Sequence, residues 1–298
     1  MTIFTDGARF WGGQIDRIDE ALLSLGYQLT QKIEEADLVY SNNGPYDDII
    51  ERKDAGAIRG KIILNVLDLA PHLVDFPMEK TRQQLAQADA VTCISETVQR
   101  DLKIRGGFDS TVIYNPMKPI GKTFSTMKST ALFVGRVNDP EKRSLLGAEA
   151  LRILGIASQN VITTGGEYPA YGGRYFGVAT DQQLNDLYNG TEFLICPTRN
   201  AFLGLPILEA CAAGAVPVFC RDLDIREEFF PSYLFPEYDR IEPTASSIAG
   251  FMWRLIAEPD TKEDLKKRLF SHHQNVLAEK LSPIGVAQRI IDVYKKIA

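Results

Sequence analysis

Short, almost continuously apolar runs alternate along this chain with amphipathic segments of helical period. The runs at 61–69, 131–137 and 193–198 have the length of strands buried on both faces. The clearest amphipathic segment places apolar residues at helical spacing: Ile15, Ile18, Leu22 and Leu25. Strands that alternate with helices in this way predict an α/β protein with parallel, doubly wound sheets.

The alternation stops once and then restarts. Residues 116–130 contain two prolines and several Ser and Thr, which is typical of a linker, and a new apolar run begins at 131. A length of 298 residues suits two domains. We therefore predict a first domain at 1–120, a second at 121–281 and an amphipathic terminal helix at 282–298.

The stretch around Gly204 has the pattern of a ligand loop. An apolar run ends near Thr198, a loop containing Gly204 follows, and an Ala-rich helix then begins at Pro206 and stops at Gly214. A helix that begins under a glycine loop presents unpaired N–H groups and a positive dipole end, which suit an anion. Glu209 is placed to bind hydroxyl groups; the alternative is an ordinary β-α-β unit with a solvated Glu209.

Two further features could serve a ligand. Gly12 and Gly13 open the first predicted helix, where backbone can approach a phosphate, although a tight turn is an equal alternative. Neither a GxGxxG fingerprint nor a Walker A loop is present there. His72 follows the apolar run at 61–69 and could contact a sugar or transfer a proton, or it is simply a turn histidine.

Composition and charge exclude several classes of protein. The net charge is −6 and there are no long blocks of like charge, which argues against a protein that coats nucleic acid. The four cysteines form no CxxC pair, so we expect reduced thiols and no zinc site. With no signal-peptide pattern and no membrane-length apolar run, we expect a cytoplasmic protein. His272-His273 are predicted on a solvated helix face, and Asp222-Leu223-Asp224 in a polar connection rather than at a metal.

Four segments of the second half occur in the order found in one enzyme family: FVGRVNDPEK, VITTGG, FGVATDQQLNDLYNGTEFLICPT and FLGLPILEACAAGAVPV. In the first half, Trp11-Gly12-Gly13, ADAVTCISETVQRDL and VIYNP are similar to that family too. The chain thus resembles the family-four, GT-B-fold retaining glycosyltransferases over most of its length, most strongly at 131–220. The resemblance implies two Rossmann-like domains, with the terminal helix crossing back to an N-terminal acceptor-side domain.

The resemblance also implies a donor site in the C-terminal domain. Arg136 and Lys142 would hold the donor diphosphate, and Glu209 would bind the ribose. Fixed cations suit a departing nucleoside diphosphate because its developing negative charge needs compensation. The other donor-binding residues that it implies are Gly12, Gly13, Gly135, Gly166, Val178, Asn200, Leu203, Gly204 and Leu205.

The implied activity is a metal-independent glycosyltransferase of hexosyltransferase type that needs no cofactor. It would move a sugar from a nucleoside-diphosphate sugar to a hydroxyl acceptor with retention of configuration, the leaving phosphate accepting the proton. A glycan, lipid-linked or small-molecule acceptor is favoured over a modified nucleic acid, because basic clusters are lacking.

Three departures from the family pattern keep alternatives open. The family carries two glutamates with seven residues between them, but Ala201 stands at the first position and Glu209 at the second. Asn200 or Thr198 is placed to compensate. Arg136 and Lys142 are one residue further apart than in the family, and Leu67-Asp68 replaces a His-Asp pair. The alternatives are a catalytically impaired nucleotide-sugar-binding protein and a two-domain module for other small ligands.

Overall fold

The computed structural model describes residues 1–6, 13–42, 46–67, 78–118, 120–165, 172–201 and 203–298. The chain forms two compact units, one made of 1–117 with 279–298 and the other of 118–278. The change from the first unit to the second falls inside the segment that we predicted as a linker. The described residues there form no helix or strand before Ser129.

The first unit is built on a parallel sheet. Its described strands are β1 (Thr2–Asp6), β2 (Gln28–Leu29), β3 (Leu38–Ser41), β4 (Lys61–Val66), β5 (Ala90–Cys93) and β6 (Thr111–Val112). They pair in the order β2-β1-β3-β4-β5-β6, and each of these pairs is parallel. The helices of this stretch are α1 (Gln14–Ser24), α2 (Asp47–Asp54), α3 (Met78–Leu85) and α4 (Glu96–Asp101), the last continued by a π-helical turn, Leu102–Gly106.

The second unit repeats the same architecture. Its described strands are β7 (Ser129–Val134), β8 (Val161–Thr164), β9 (Arg174–Gly177), β10 (Thr191–Ile195) and β11 (Val216–Val218). They form a parallel sheet in the order β11-β10-β7-β8-β9. Its helices are α5 (Ser144–Ile153), α6 (Asp181–Gly190), α7 (Leu205–Ala213), α8 (Arg226–Phe229), α9 (Ala245–Ala257) and α10 (Pro259–His272). A π-helical turn, His273–Leu277, continues α10.

The end of the chain returns to the first unit. After the short helix α11 (Ala278–Leu281) comes α12 (Pro283–Ile297), whose apolar stripe is buried in the core of that unit. Val286, Ile290 and Ile291 of α12 are fully buried there, in one cluster with side chains of α1, β1, β3 and β4: Ile3, Ile15, Ile18, Leu22, Leu38, Tyr40 and Ile63. The predicted α/β class and the crossing of the terminal helix are therefore confirmed.

Some elements differ from the sequence-based expectations. The strands β2 and β9 and the helix α2 were not predicted. The strand β2 has only two residues, β9 begins with two exposed residues, and α2 begins with two aspartates. The prediction that His272-His273 lie on a solvated face is wrong. His273 is 2 % exposed, and His272 Nε2 lies 3.0 Å from the Phe229 carbonyl oxygen. Leu265 and Leu269 of α10 are buried and His273 follows Leu269 by four residues, so the helical period continues the buried stripe to His273 although the surrounding sequence is polar.

Candidate functional site

The candidate site lies at the carboxyl ends of β7 and β10. In the second sheet β7 is the first strand in sequence, with β8 on one side and β10 on the other, so the strand order reverses between β7 and β10. Ligands of open parallel sheets bind in the crevice outside the strand ends at such a point. The loop after β7 carries Arg136 and Lys142, and the loop after β10 carries Asn200 and Gly204.

Hydrogen bonds join these two loops directly. The hydroxyl of Thr198 donates to the backbone carbonyl oxygen of Glu141, at 3.0 Å. The side-chain amide of Asn200 donates to Glu141 Oε2, also at 3.0 Å. Thr198 is 1 % exposed, so its hydroxyl holds the two loops together inside the protein. The expectation that Thr198 or Asn200 compensates for Ala201 at a sugar gains no support from these contacts, since both side chains are bonded to Glu141.

The two cations of the first loop lie in different surroundings. The side chain of Arg136 is 58 % exposed and pairs with Asp139 at 3.4 Å. Lys142 is half-buried and ends the 3₁₀ turn Pro140–Lys142. Burial raises the pKa of the Cys196 thiol, and the Lys142 ammonium opposes that shift of the pKa. Glu141, the residue before Lys142, is bonded to Thr198 and Asn200, so Lys142 lies beside the second loop.

Arg143, the residue after Lys142, has an unusual backbone. Its φ is 49° and its ψ 28°, which places a non-glycine residue in the left-handed region. Its NH1 group donates to both carboxylate oxygens of Asp222, at 2.9 and 3.2 Å. Sequence reasoning missed this pair, because a left-handed arginine has no sequence signature and Asp222 lies 79 positions away.

The second loop ends in a left-handed glycine at the start of α7. Gly204 has φ 65°, and a Cβ atom there would lie 2.6 Å from Cδ1 of the fully buried Ile225. The helix begins at Leu205, one residue before the predicted Pro206, and ends at Gly214 as predicted. Leu203 is 2 % exposed, so what it can offer a ligand is backbone.

A carboxylate fixes the loop just before this helix. Asp224 Oδ1 accepts hydrogen bonds from the backbone N–H groups of Ala201 (2.9 Å) and Ile225 (3.0 Å). The backbone N–H of Asp224 donates to the Arg199 carbonyl oxygen at 2.9 Å. Asp222 and Asp224 thus belong to the connection after β11, as predicted, but each contacts one of the two loops of the candidate site.

Glu209 is held inside the protein. It is 3 % exposed, and the hydroxyl of Tyr188 on α6 donates to its Oε2 atom at 2.9 Å. Burial, first, and then the neighbouring Glu209 raise the pKa of Tyr188 well above its usual value. The alternative of a solvated Glu209 is wrong. Sequence reasoning missed Tyr188; the signal was its place on the apolar side of α6, since a buried phenol needs a hydrogen-bond partner.

The remaining predicted donor residues fall into three groups. Gly135, with φ 98°, follows β7 and donates its N–H to Thr164 at 2.9 Å, and Val178, which follows β9, is 78 % exposed. Gly13 belongs to the first unit, where it is the left-handed residue before α1. The predictions for Gly12, His72 and Gly166 fall outside the described residues.

No group of three or more His, Cys, Asp or Glu among the described residues could hold a metal ion. A search of the described helices for one long and apolar enough to cross a membrane found none. The four cysteines form no disulfide.

Comparisons with known proteins identify the fold. No protein-family model and no curated protein sequence matches the chain. Among solved structures, sucrose-phosphate synthase from Thermosynechococcus elongatus is similar, with a TM-score of 0.76, 13 % identity, and coverage of 100 % of this chain and 99 % of that one. An α,α-trehalose-phosphate synthase (UDP-forming) from Burkholderia xenovorans gives a TM-score of 0.64, 11 % identity, and coverage of 95 % and 76 %.

A further trehalose-6-phosphate synthase gives a TM-score of 0.63 and 12 % identity, with coverage of 97 % of this chain and 77 % of that one. These likenesses show that the chain has the GT-B fold, as the resemblance implied.

Proposed function

We propose that the chain is a glycosyltransferase that takes a sugar from a nucleoside-diphosphate sugar and transfers it to a hydroxyl acceptor with retention of configuration. The observation that carries the proposal is the crevice between β7 and β10. It brings two cations, the amino end of α7 and a buried carboxylate to one edge of one sheet.

The roles follow from the chemistry of the groups. Arg136 and Lys142, with the N–H groups at Leu205, would compensate the charge of the diphosphate as the bond to the sugar breaks. Glu209, oriented by Tyr188, would accept hydrogen bonds from the ribose hydroxyls. Val178 and its exposed surroundings would face the base. The leaving phosphate would accept the acceptor's proton, so no protein nucleophile or metal ion enters the proposed mechanism.

The names of the similar structures agree with this reaction class. One is described as UDP-forming and was solved in complex with glucose-6-phosphate, and another as a sucrose-phosphate synthase. A nucleoside diphosphate as product is what the proposed donor would give. At identities of 11–13 % the choice of sugar and acceptor is not transferable, and the acceptor class stays open between glycan, lipid-linked and small-molecule hydroxyls.

Calorimetric titration with UDP, GDP and ADP tests the nucleotide site. We expect the wild type to bind at least one of them and Glu209→Ala to weaken that binding, whereas Glu149→Ala on the exposed face of α5 should leave it unchanged. A panel of nucleotide sugars followed by mass spectrometry then identifies the donor. Failure to bind any of the three nucleotides would rule out the proposal.

A second function is favoured by one observation, the alanine at position 201. Its backbone N–H is bonded to Asp224, and the neighbouring side chains of Thr198 and Asn200 are bonded to Glu141, so these groups already have partners within the protein. The alternative is a nucleotide-sugar-binding protein with impaired transfer. Binding of a donor without hydrolysis or transfer during long incubation would select this alternative.

A further inference from the structure

The connection after β11 reaches back to the loop that carries Lys142. Asp222, in this connection, accepts two contacts from the guanidinium of Arg143, at 2.9 and 3.2 Å. Their side chains are 32 % and 23 % exposed. Exposed ion pairs contribute little because water screens them and both side chains must be immobilised. This pair is mostly shielded, and both Asp222 oxygens face one nitrogen of Arg143.

The backbone at Arg143 shows why such a contact is needed. Left-handed backbone is unfavourable for a residue with a Cβ atom, and it persists where the surroundings fix it. Among the described non-glycine residues, Arg143 is the one with positive φ. Its N–H donates to the Pro140 carbonyl oxygen at 3.1 Å, which closes the turn that ends at Lys142, and α5 begins at the next residue.

We propose that Asp222 is a positioning residue for Lys142: by holding the Arg143 side chain, it fixes the left-handed turn that aims the Lys142 ammonium into the crevice between β7 and β10. The inference rests on the proposed function, since Lys142 acts there on the donor diphosphate. A carboxylate in direct contact with a diphosphate would repel it, so the role of Asp222 is indirect.

The test compares two ion pairs of the same connection. Asp222→Asn keeps the shape of the side chain and removes its charge. The control is Glu242→Gln, because Glu242 pairs with Arg221 at 2.9 Å, one residue before Asp222, and both partners are about half exposed. For each variant, the dissociation constants of the best-binding nucleoside diphosphate and of its parent nucleoside are measured, the second by ligand-observed NMR.

A positioning role predicts a selective loss. Asp222→Asn should weaken diphosphate binding about tenfold, because displacing a catalytic group by even 1 Å has costs of that order or larger. Nucleoside binding should stay unchanged, and Glu242→Gln should change neither constant. Asp222→Glu should recover most of the affinity. Equal losses for nucleoside and diphosphate, or no loss, would overturn the inference.

A second variant covers the case in which Asp222→Asn does not fold. Arg143→Gln removes the guanidinium but keeps the Cβ atom that makes the left-handed backbone costly, so the turn loses the contact that fixes it. The same selective loss of diphosphate affinity is expected, and unchanged affinity contradicts the proposal. If the wild type binds no nucleoside diphosphate, the proposed function itself fails; if it binds and both variants behave as the wild type, only the role of Asp222 fails.

Discussion

The hydroxyl of Tyr188 donates a 2.9 Å hydrogen bond to Glu209, and both side chains are buried. The contact joins the end of α6, the helix before β10 in the chain, to the second turn of α7, the helix after it. A buried carboxylate is costly unless it is hydrogen-bonded. Tyr188 therefore both offsets part of that cost and sets the direction of the carboxylate that we assign to the ribose.

Removal of the Tyr188 hydroxyl should lower the free energy of unfolding more than removal of another buried tyrosine hydroxyl. Tyr188→Phe leaves a buried carboxylate without one of its donors, and we expect a loss of about 1–3 kcal/mol in the free energy of unfolding, since bonds to charged groups lie at the upper end. The control is Tyr238→Phe, because Tyr238 is also buried but donates to the neutral Pro217 carbonyl oxygen at 2.8 Å. There we expect a loss of about 1 kcal/mol.

Urea unfolding of the three proteins gives both differences. A loss for Tyr188→Phe no larger than that for Tyr238→Phe would show that the Glu209 carboxylate does not depend on the phenol. If the proposed nucleotide site is correct, Tyr188→Phe should also weaken nucleoside binding, while Tyr238→Phe should not.

The cations of the first loop should act through the phosphates alone. Arg136→Gln and Lys142→Met are each expected to weaken nucleoside-diphosphate binding about tenfold or more, with little effect on the parent nucleoside. The dependence of binding on salt should also become shallower, because each variant removes one fixed charge. Arg152→Gln is the matched control, since Arg152 is an exposed arginine of α5 that pairs with Glu149. Titrations of nucleoside diphosphate and nucleoside at two salt concentrations check this prediction. Equal changes in diphosphate affinity for all three variants would contradict it.

The sequence predicted what short-range patterns encode. The loop, helix and glycine stop around Gly204, Glu209 and Gly214 are found where the residues indicated them. Thr180 and Gln183 form a capping box at the start of α6, which is another pattern of this short range. Each depends on backbone chemistry within a few residues, which a single sequence displays.

The contacts that the sequence did not predict join residues far apart in the chain. Asp222 was assigned to a polar connection, which is correct, but its bond to Arg143 joins segments far apart in the chain. Tyr188 was given no role, although its hydroxyl donates to Glu209, which lies 21 positions further along the chain. His273 is a different case: it was placed in solvent because the helix before it is polar, although it follows the buried Leu269 by four residues and lies on the same buried face.

His273 should make the protein less stable in mild acid. Burial, first, and then the neighbouring His272 lower the pKa of His273 from 6.5 to about 4. Above pH 6.5 the ring is neutral in both folded and unfolded chains. Below it the unfolded chain binds a proton that the folded chain does not, so stability falls as the pH drops from 6.5 towards 4, by about 1 kcal/mol per pH unit.

His273→Phe isolates this contribution. Neither ring nitrogen of His273 has a hydrogen-bond partner among the described residues, so an apolar ring should fit the site. We expect urea unfolding at pH 7, 6 and 5 to show a smaller loss of stability for His273→Phe than for the wild type, with carboxylate effects common to both. Parallel curves would show that His273 takes up its proton in the folded protein. His272→Gln removes the smaller cause of the lowered pKa and leaves His273 buried, so its loss of stability between pH 7 and 5 should stay close to that of the wild type.

Replacement of two helical glycines by alanine should change the stability of the protein in opposite directions. Gly250, in the interior of α9, is exposed, and a Cβ atom there would meet nothing within 4 Å. Gly250→Ala should therefore stabilise the protein by about 0.5–1 kcal/mol, the difference in helix propensity. At Gly190, the last residue of α6, a Cβ atom would overlap the Met127 carbonyl oxygen, which as backbone cannot swing aside. Gly190→Ala should cost about 1–3 kcal/mol because α6 must move away from the segment before β7. Thermal unfolding of both variants checks the pair, and a stabilising Gly190→Ala would mean that α6 does not lie this close to Met127 in solution.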